Sequence, residues 1–315
     1  MQISPLYRSG CMTKAVQIDK LGKSYVKGAV PAVNGISLDI IKGEIFGIIG
    51  ADGAGKTTLF RMLSTLILPD FGKAQVFGFD VSGDYKLIRK FLGYMPGRFS
   101  LYQDLTVEEN LIFFATLSNT TIEENFHLIE DIYIQIAPFK DRRAGKLSGG
   151  MKQKLALCCA LIHNPRIMFL DEPTTGVDPV SRKEFWTILE RLKAQEITIV
   201  VSTPYMDEAR LCDRIALMEK GEILAIDEPD EMVKHFPHHL YEVKASNRFK
   251  LLSTLRAYPN VLNAYAFGEF AHVVFKEAVD QQQLITYLQT SGQSNIVVRP
   301  VRPNIEDHFI HLLQP

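Results

Sequence analysis

Short apolar runs alternate with helical patterns between Val16 and about Phe236, the arrangement of an α/β domain built on a largely parallel sheet. Residues 44–49 predict a short buried strand, followed by a glycine-rich turn and a helix through 60–66. Residues 166–170 and 197–203 predict two more core strands, with an amphipathic helix over 179–194 between them. The apolar runs 215–218 and 223–226 flank Lys220-Gly221, a hairpin signal. From about 97 to 163 the pattern is helical only. Thr106 with Glu109 and Thr121 with Glu124 each fit a capping box that opens an apolar-periodic run. This stretch reads as a helical insertion in the α/β domain. The tract His235-Phe236-Pro237-His238-His239 marks a boundary; its histidines could ligate a metal, but a polar linker is the preferred reading. From Leu240 onward the order is strand, helix, two strands, helix, strand, helix, which predicts a small α+β domain.

Composition narrows the class. The 315 residues are 46% hydrophobic and 23% charged, which argues against disorder, fibrous repeats and a disulfide scaffold. Length alone suggests about two domains, since single cores rarely exceed ~250–300 residues. Lys plus Arg number 35 and Asp plus Glu 36, a net charge of −1, so no footprint for nucleic acid or anionic lipid shows across the whole chain. Cys11, Cys158, Cys159 and Cys212 have neither zinc-ligand spacing nor a disulfide pattern, which fits a reducing compartment. No run approaches the ~20 apolar residues of a membrane span. Residues 1–14 lack an apolar core between Arg8 and Lys14, so no secretory signal is expected. A membrane role would have to come through a partner.

Three strings carry chemistry. Gly50-Ala51-Asp52-Gly53-Ala54-Gly55-Lys56-Thr57 matches G-x-x-x-x-G-K-[ST] between a strand and a helix, with Thr58 next in line. Its glycines let backbone N–H groups wrap phosphates, and the helix N-terminus adds partial positive charge. Lys56 is placed to reach the β- and γ-phosphates and the Thr57 hydroxyl to ligate Mg²⁺. The strand Ile167-Met168-Phe169-Leu170 ends in Asp171-Glu172. Beside a phosphate loop, Asp171 is the natural Mg²⁺ partner and Glu172 the general base for an attacking water. Leu147-Ser148-Gly149-Gly150-Met151-Lys152-Gln153 opens a helix predicted to be amphipathic, and makes a second anion-facing N-terminus.

In this order and spacing, the strings resemble the ATP-binding subunits of ABC transporters over about residues 15–236, and in particular those of ABC-2-like, drug-resistance exporters. The resemblance implies a P-loop NTPase fold: a RecA-like α/β core with an antiparallel β subdomain and a helical subdomain at about 97–163, followed by the small C-terminal α+β domain at 238–315. It implies ATP and Mg²⁺ as ligands, ATP hydrolysis coupled to transport, and Tyr25 as the ring that stacks on adenine. Asp178, in Gly176-Val177-Asp178-Pro179, resembles the loop that contacts an opposite subunit. In the family two subunits sandwich two ATPs head to tail, so Ser148, Gly149 and Gly150 would close over the partner's γ-phosphate. The implied partners are an integral-membrane permease and a second ATP-binding subunit (a sister chain or a second copy), at the cytoplasmic face of the membrane, with no nucleic acid. The stretch of about 98–109 would lie under the permease, with Phe99, Leu101 and Tyr102 either as apolar contacts to it or buried in the domain.

Two positions depart from the pattern. Gly97 stands where the family has a glutamine that touches Mg²⁺ and the attacking water, and Pro204 where it has a histidine on the γ-phosphate. Losing a polar group at a reacting centre costs roughly 10²–10⁴ in rate. The expectation is therefore a weak hydrolase paired with a more active sister. A non-transport or regulatory ATPase of the same type is the alternative. The segment at 303–309 resembles the closing helix of a C-terminal extension found on exporter subunits. His308 and His311 on it read as a solvated face.

Overall fold

A computed structural model describes residues 13–26, 28, 30–97 and 101–313. The chain divides into two units, Met1–Pro229 and Asp230–Pro315. In the first, β1 (Lys14–Lys23) and β2 (Val33–Ile41) precede β3 (Ile45–Ile49) and α1 (Lys56–Leu63). Next come β4 (Phe71–Val76), β5 (Phe79–Asp80), the single turn α2 (Tyr85–Ile88) and β6 (Leu92–Met95). Three helices follow: α3 (Val107–Leu117), α4 (Ile122–Ile136) and α5 (Gly149–Leu161). The chain then returns to β7 (Ile167–Asp171), α6 (Pro179–Ala194), β8 (Thr198–Thr203), β9 (Arg214–Glu219) and β10 (Glu222–Asp227).

Two sheets result. The antiparallel one has the order β2-β1-β4-β5, and the six-stranded one β10-β9-β3-β8-β7-β6. In the latter, the neighbours from β9 through β6 pair in parallel and only the edge hairpin β9–β10 is antiparallel. Every residue of β3, β7 and β8 is buried, as expected of parallel strands covered on both faces. One core spans both sheets and α1; at its centre Phe60 meets Phe169 edge-on, centroids 5.6 Å apart. Each such buried side chain contributes about 1.5–3 kcal/mol.

The helical insertion holds. Both capping boxes form, with Thr106 accepting from the N–H of Glu109 and Thr121 from that of Glu124. Two readings are corrected. The helix after the phosphate loop ends at Leu63, because Thr65 turns into the left-handed region at φ +62°. And α5 is not amphipathic: every residue from Leu155 to Ile162 is buried, because the helix is enclosed by α3, α4, α6 and β6.

The second unit opens with α7 (Pro229–Lys234) and continues as β11 (His239–Lys244), α8 (Arg248–Arg256), β12 (Val261–Phe267) and β13 (Phe270–Phe275). It closes with α9 (Gln281–Thr290), β14 (Val297–Pro300) and α10 (Ile305–Leu312), so the predicted order is observed. The antiparallel sheet order β12-β13-β11-β14 is the split βαβ, ferredoxin-like arrangement. Tyr241, Val243, Val273 and Phe275 pack with α8 and α9, while Leu240 and Val274 pack with Phe236, the alternation of a sheet covered on both faces. The boundary tract is thus more than a linker, since Phe236 is buried in this second cluster and His239 begins β11. His308 is buried rather than solvated.

Candidate functional site

Four parallel strands end side by side, and the segments that follow them line one crevice. Register sets Ile49 beside Thr203, Asp171 beside Ser202, and Met95 beside Leu170. The loop after β3, the two carboxylates ending β7, Pro204 after β8 and Gly97 after β6 therefore meet at the carboxyl ends, where α/β sheets take their ligands.

The loop after β3 is shaped for phosphate. Gly55 has φ +107°, and a Cβ there would sit 2.1 Å from the carbonyl oxygen of Ala32, so no other residue fits. Ala51, Asp52 and Gly53 are exposed at its rim, with Ala54 buried beneath. The N–H of Gly50 donates to the carbonyl of Thr203 at 3.3 Å, tying the loop to β8. Lys56 is buried and curls back over the loop: its Nζ donates to the carbonyls of Gly50 (2.8 Å) and Ala51 (3.0 Å). The same Nζ is 3.2 Å from Glu172 Oε1. Thr57 and Thr58 stand in the first turn of α1, whose unpaired N–H groups and positive end favour an anion. The Tyr25 hydroxyl is 3.3 Å from that of Thr58, and the Tyr25 side chain is 59% exposed, leaving its ring free for stacking.

Ser202 organises the carboxylates. Its hydroxyl donates to Asp171 Oδ1 at 2.6 Å, and Oγ accepts from the Glu172 N–H at 3.0 Å. Glu172 has φ +49°, a left-handed conformation costing a non-glycine residue of order 1–3 kcal/mol. The second hydrogen bond of its N–H, to the Ser202 carbonyl at 3.1 Å, helps to hold that turn. Burial and the charge of Asp171 push the Tyr94 phenol up to about 12, so it stays a neutral neighbour.

Among the described residues no group of three His, Cys, Asp or Glu side chains could hold a metal. The Thr57 hydroxyl and Asp171 carboxylate are nonetheless hard oxygen donors of the kind Mg²⁺ uses when phosphate oxygens and water complete its shell. Gly97 and Pro204 bring no polar side chain. A Cβ on Gly97 would lie 3.0 Å from the Asp171 carbonyl oxygen, so the loop after β6 closes directly onto the carboxylate strand.

The second anion-facing helix start is built separately. Ser148 caps α5, its Oγ accepting from the N–H of Met151 at 3.3 Å, which leaves the hydroxyl proton to donate. A Cβ on Gly150 would meet Ser181 Oγ at 2.6 Å, and one on Gly149 the Gly176 carbonyl at 3.2 Å. This segment is therefore seated on the turn that carries Asp178. Asp178 caps α6, accepting from the N–H groups of Ser181 (3.0 Å) and Val180 (3.1 Å), which hold its carboxyl below the usual range. Among the described residues no hydrogen bond joins 148–150 to the loop at 50–58. Of the residues expected beneath a permease, Phe99 lies outside the described residues. Leu101 is buried and Tyr102 exposed, the latter 4.6 Å from Phe113 between centroids. Sequence reasoning missed Ser202, although a Ser-Thr pair closing an otherwise apolar strand was a visible signal.

The ABC transporter family pattern matches residues 33–175. Over 303 residues the chain is 37% identical to the probable multidrug ABC transporter ATP-binding protein YbhF of Escherichia coli K12, covering 95% of this chain and 52% of that protein. It is also 36% identical over 301 residues to the Nod factor export ATP-binding protein I of Rhizobium sp. strain N33, covering 94% and 97%. The chain thus spans about half of the first relative and nearly all of the second. Among solved structures, the post-hydrolysis dimer of the ATP-binding cassette MJ0796 with ADP and Pi superposes with a TM-score of 0.61 at 25% identity, over 68% of this chain and 98% of that one. A nucleotide-free cassette of an ABC transporter shares the fold, with a TM-score of 0.63 at 24% identity, over 70% and 94%.

Proposed function

The chain belongs to the ABC transporter family of ATP-binding proteins, and from that premise we propose that it binds and hydrolyses ATP to energise a membrane exporter. The observation that carries the reading is the meeting of Lys56, Asp171 and Glu172 at adjoining strand ends, with Ser148–Gly150 turned to a separate seat. The loop Gly50–Thr58 cradles the phosphates and Tyr25 stacks on the adenine. Lys56 exchanges Glu172 for phosphate oxygens. Glu172, freed from Lys56, accepts a proton from the water that attacks the γ-phosphorus as the bond to the β–γ bridging oxygen breaks, giving ADP and phosphate. Thr57 and Asp171 would hold Mg²⁺, which would supply neutralisation of charge on those oxygens.

Ser148, Gly149 and Gly150 complete the site of a second ATP-binding subunit, with Asp178 at the dimer contact. Closure of that pair drives the permease. The ATPase function belongs to the first unit, and the second is accessory to it. The aromatic cluster of Tyr102, Phe113 and Phe114 is the seat for a permease segment, which holds the chain at the cytoplasmic face of the membrane. Among the described residues no helix is long and apolar enough to cross a membrane. Gly97 and Pro204 slow the chain's own site, and the sister subunit carries most turnover. Tagged purification from native membranes in mild detergent tests this. Recovery of a multi-span permease with a second ATPase is expected; recovery of ribosomal or DNA-bound proteins without a membrane protein would overturn it.

A further inference from the structure

Outside the crevice, two buried polar atoms face each other without closing a hydrogen bond. Arg182 Nε, in the first turns of α6, and Glu208 Oε1 lie 3.5 Å apart, and neither has a hydrogen-bond partner among the described residues. Glu208 is only 1% exposed, and a carboxylate so buried is strongly destabilising unless it is paired. Its other oxygen, Oε2, accepts from the Thr203 hydroxyl at 2.6 Å. Thr203 Oγ1 in turn accepts from the N–H of Tyr205 at 3.1 Å, and its carbonyl accepts from Gly50 of the phosphate loop. The Arg182 guanidinium stands 4.2 Å over the Tyr205 ring and 3.7 Å from Asp207 Oδ2. One arginine therefore grips three residues of the turn 203–208, and Pro204 sits inside that turn.

The other side of Arg182 leads to the second anion-facing segment. Its N–H donates to the carbonyl of Asp178 at 2.9 Å. The preceding residue, Ser181, is the one that fills the space above Gly150. A shift of Ser148–Gly150 would therefore reach Arg182 through the start of α6. The open 3.5 Å pair is the adjustable joint, since closing by about half an ångström would make it a charge-assisted hydrogen bond of ordinary length.

We propose that Arg182 is a positioning residue that links the seating of Ser148–Gly150 to the Thr203–Glu208 turn, and so sets the Pro204 backbone against the phosphate loop of its own chain. With a proline at 204 no side chain there can bond the phosphate, so placement of this backbone is what the turn has to contribute. The inference rests on the ATPase reading above.

Its test is single-turnover hydrolysis of Mg-ATP by an excess of the full chain, with affinity for a fluorescent ATP analogue measured alongside. The variants are Arg182→Met, Arg182→Lys, and the double variant Arg182→Met with Glu208→Gln, which removes both buried charges and so keeps the fold if the single change loses it. The expected result is a rate about tenfold lower in Arg182→Met and in the double variant, with nucleotide affinity within twofold of the parent. Arg182→Lys should recover at least a third of the rate. A double variant that hydrolyses at the parent rate overturns the proposal, because the pair would then be structural only. Equal losses of affinity and rate in every variant would overturn it as well. A parent chain that binds no nucleotide would instead sink the ATPase reading, and is told apart because the failure appears before any substitution.

Discussion

At the residue scale, the contact between Lys56 and Glu172 sets the first expectation. Lys56 Nζ, proposed to receive phosphate, lies 3.2 Å from Oε1 of Glu172, proposed as the base. Glu172→Gln weakens that competitor and removes the base. Mg-ATP affinity should rise severalfold in an equilibrium binding titration, while single-turnover hydrolysis falls by roughly 10²–10⁴. Equal or weaker binding would mean that the pair does not compete with nucleotide. Most site residues were legible because their strings demand a strand–loop–helix setting and received it. The polar end of β8 was visible, but the roles of Ser202 and Arg182 were not, since they depend on which strand ends and which helix lie adjacent. Neither neighbourhood is encoded within a few residues of the side chain itself.

The elements of the helical insertion answer to local rules. Thr106 and Thr121 each cap with their side-chain oxygen and are answered by a glutamate three residues on. Thr106→Ala should cost about 1 kcal/mol, read as a lower denaturation midpoint with unchanged slope. Gly150→Ala acts between elements: its Cβ would enter the space of Ser181 Oγ, and overpacking of this kind costs roughly 1–3 kcal/mol. A variant as stable as the parent would show that α6 can yield without cost. The capping boxes were readable from the sequence because they are complete within four residues. The burial of α5 from Leu155 onward was not, because Lys152 and Lys154 imitate a polar face near its start while the remainder is enclosed by α3, α4, α6 and β6, whose packing no local pattern encodes.

Across the whole molecule, acid should weaken the first unit. His163 is largely buried, with Nε2 3.1 Å from the Leu92 carbonyl, and that burial lowers its proton affinity below the ordinary value. A histidine whose folded value is depressed is neutral in both states above the unfolded value of about 6.5. Stability is therefore undiminished there and is lost as pH falls below it, because the unfolded chain takes up the proton first. The denaturation midpoint should drop between pH 7 and 5, and His163→Gln should flatten that slope; an unchanged slope would assign the acid sensitivity elsewhere. The alternating α/β pattern and the order of the second unit were both visible in the sequence. The split βαβ pairing was not, since strand order is set by long-range register.

We propose that Gly97 and Pro204 hold back hydrolysis in this ATP-binding cassette. The decisive comparison is single-turnover hydrolysis by the purified parent against that by the double variant Gly97→Gln with Pro204→His. The variant should bind Mg-ATP as the parent does and hydrolyse it at least tenfold faster, even though the new Cβ at 97 must displace the Asp171 carbonyl by a few tenths of an ångström. A parent that hydrolyses ATP as fast as the variant would contradict the claim.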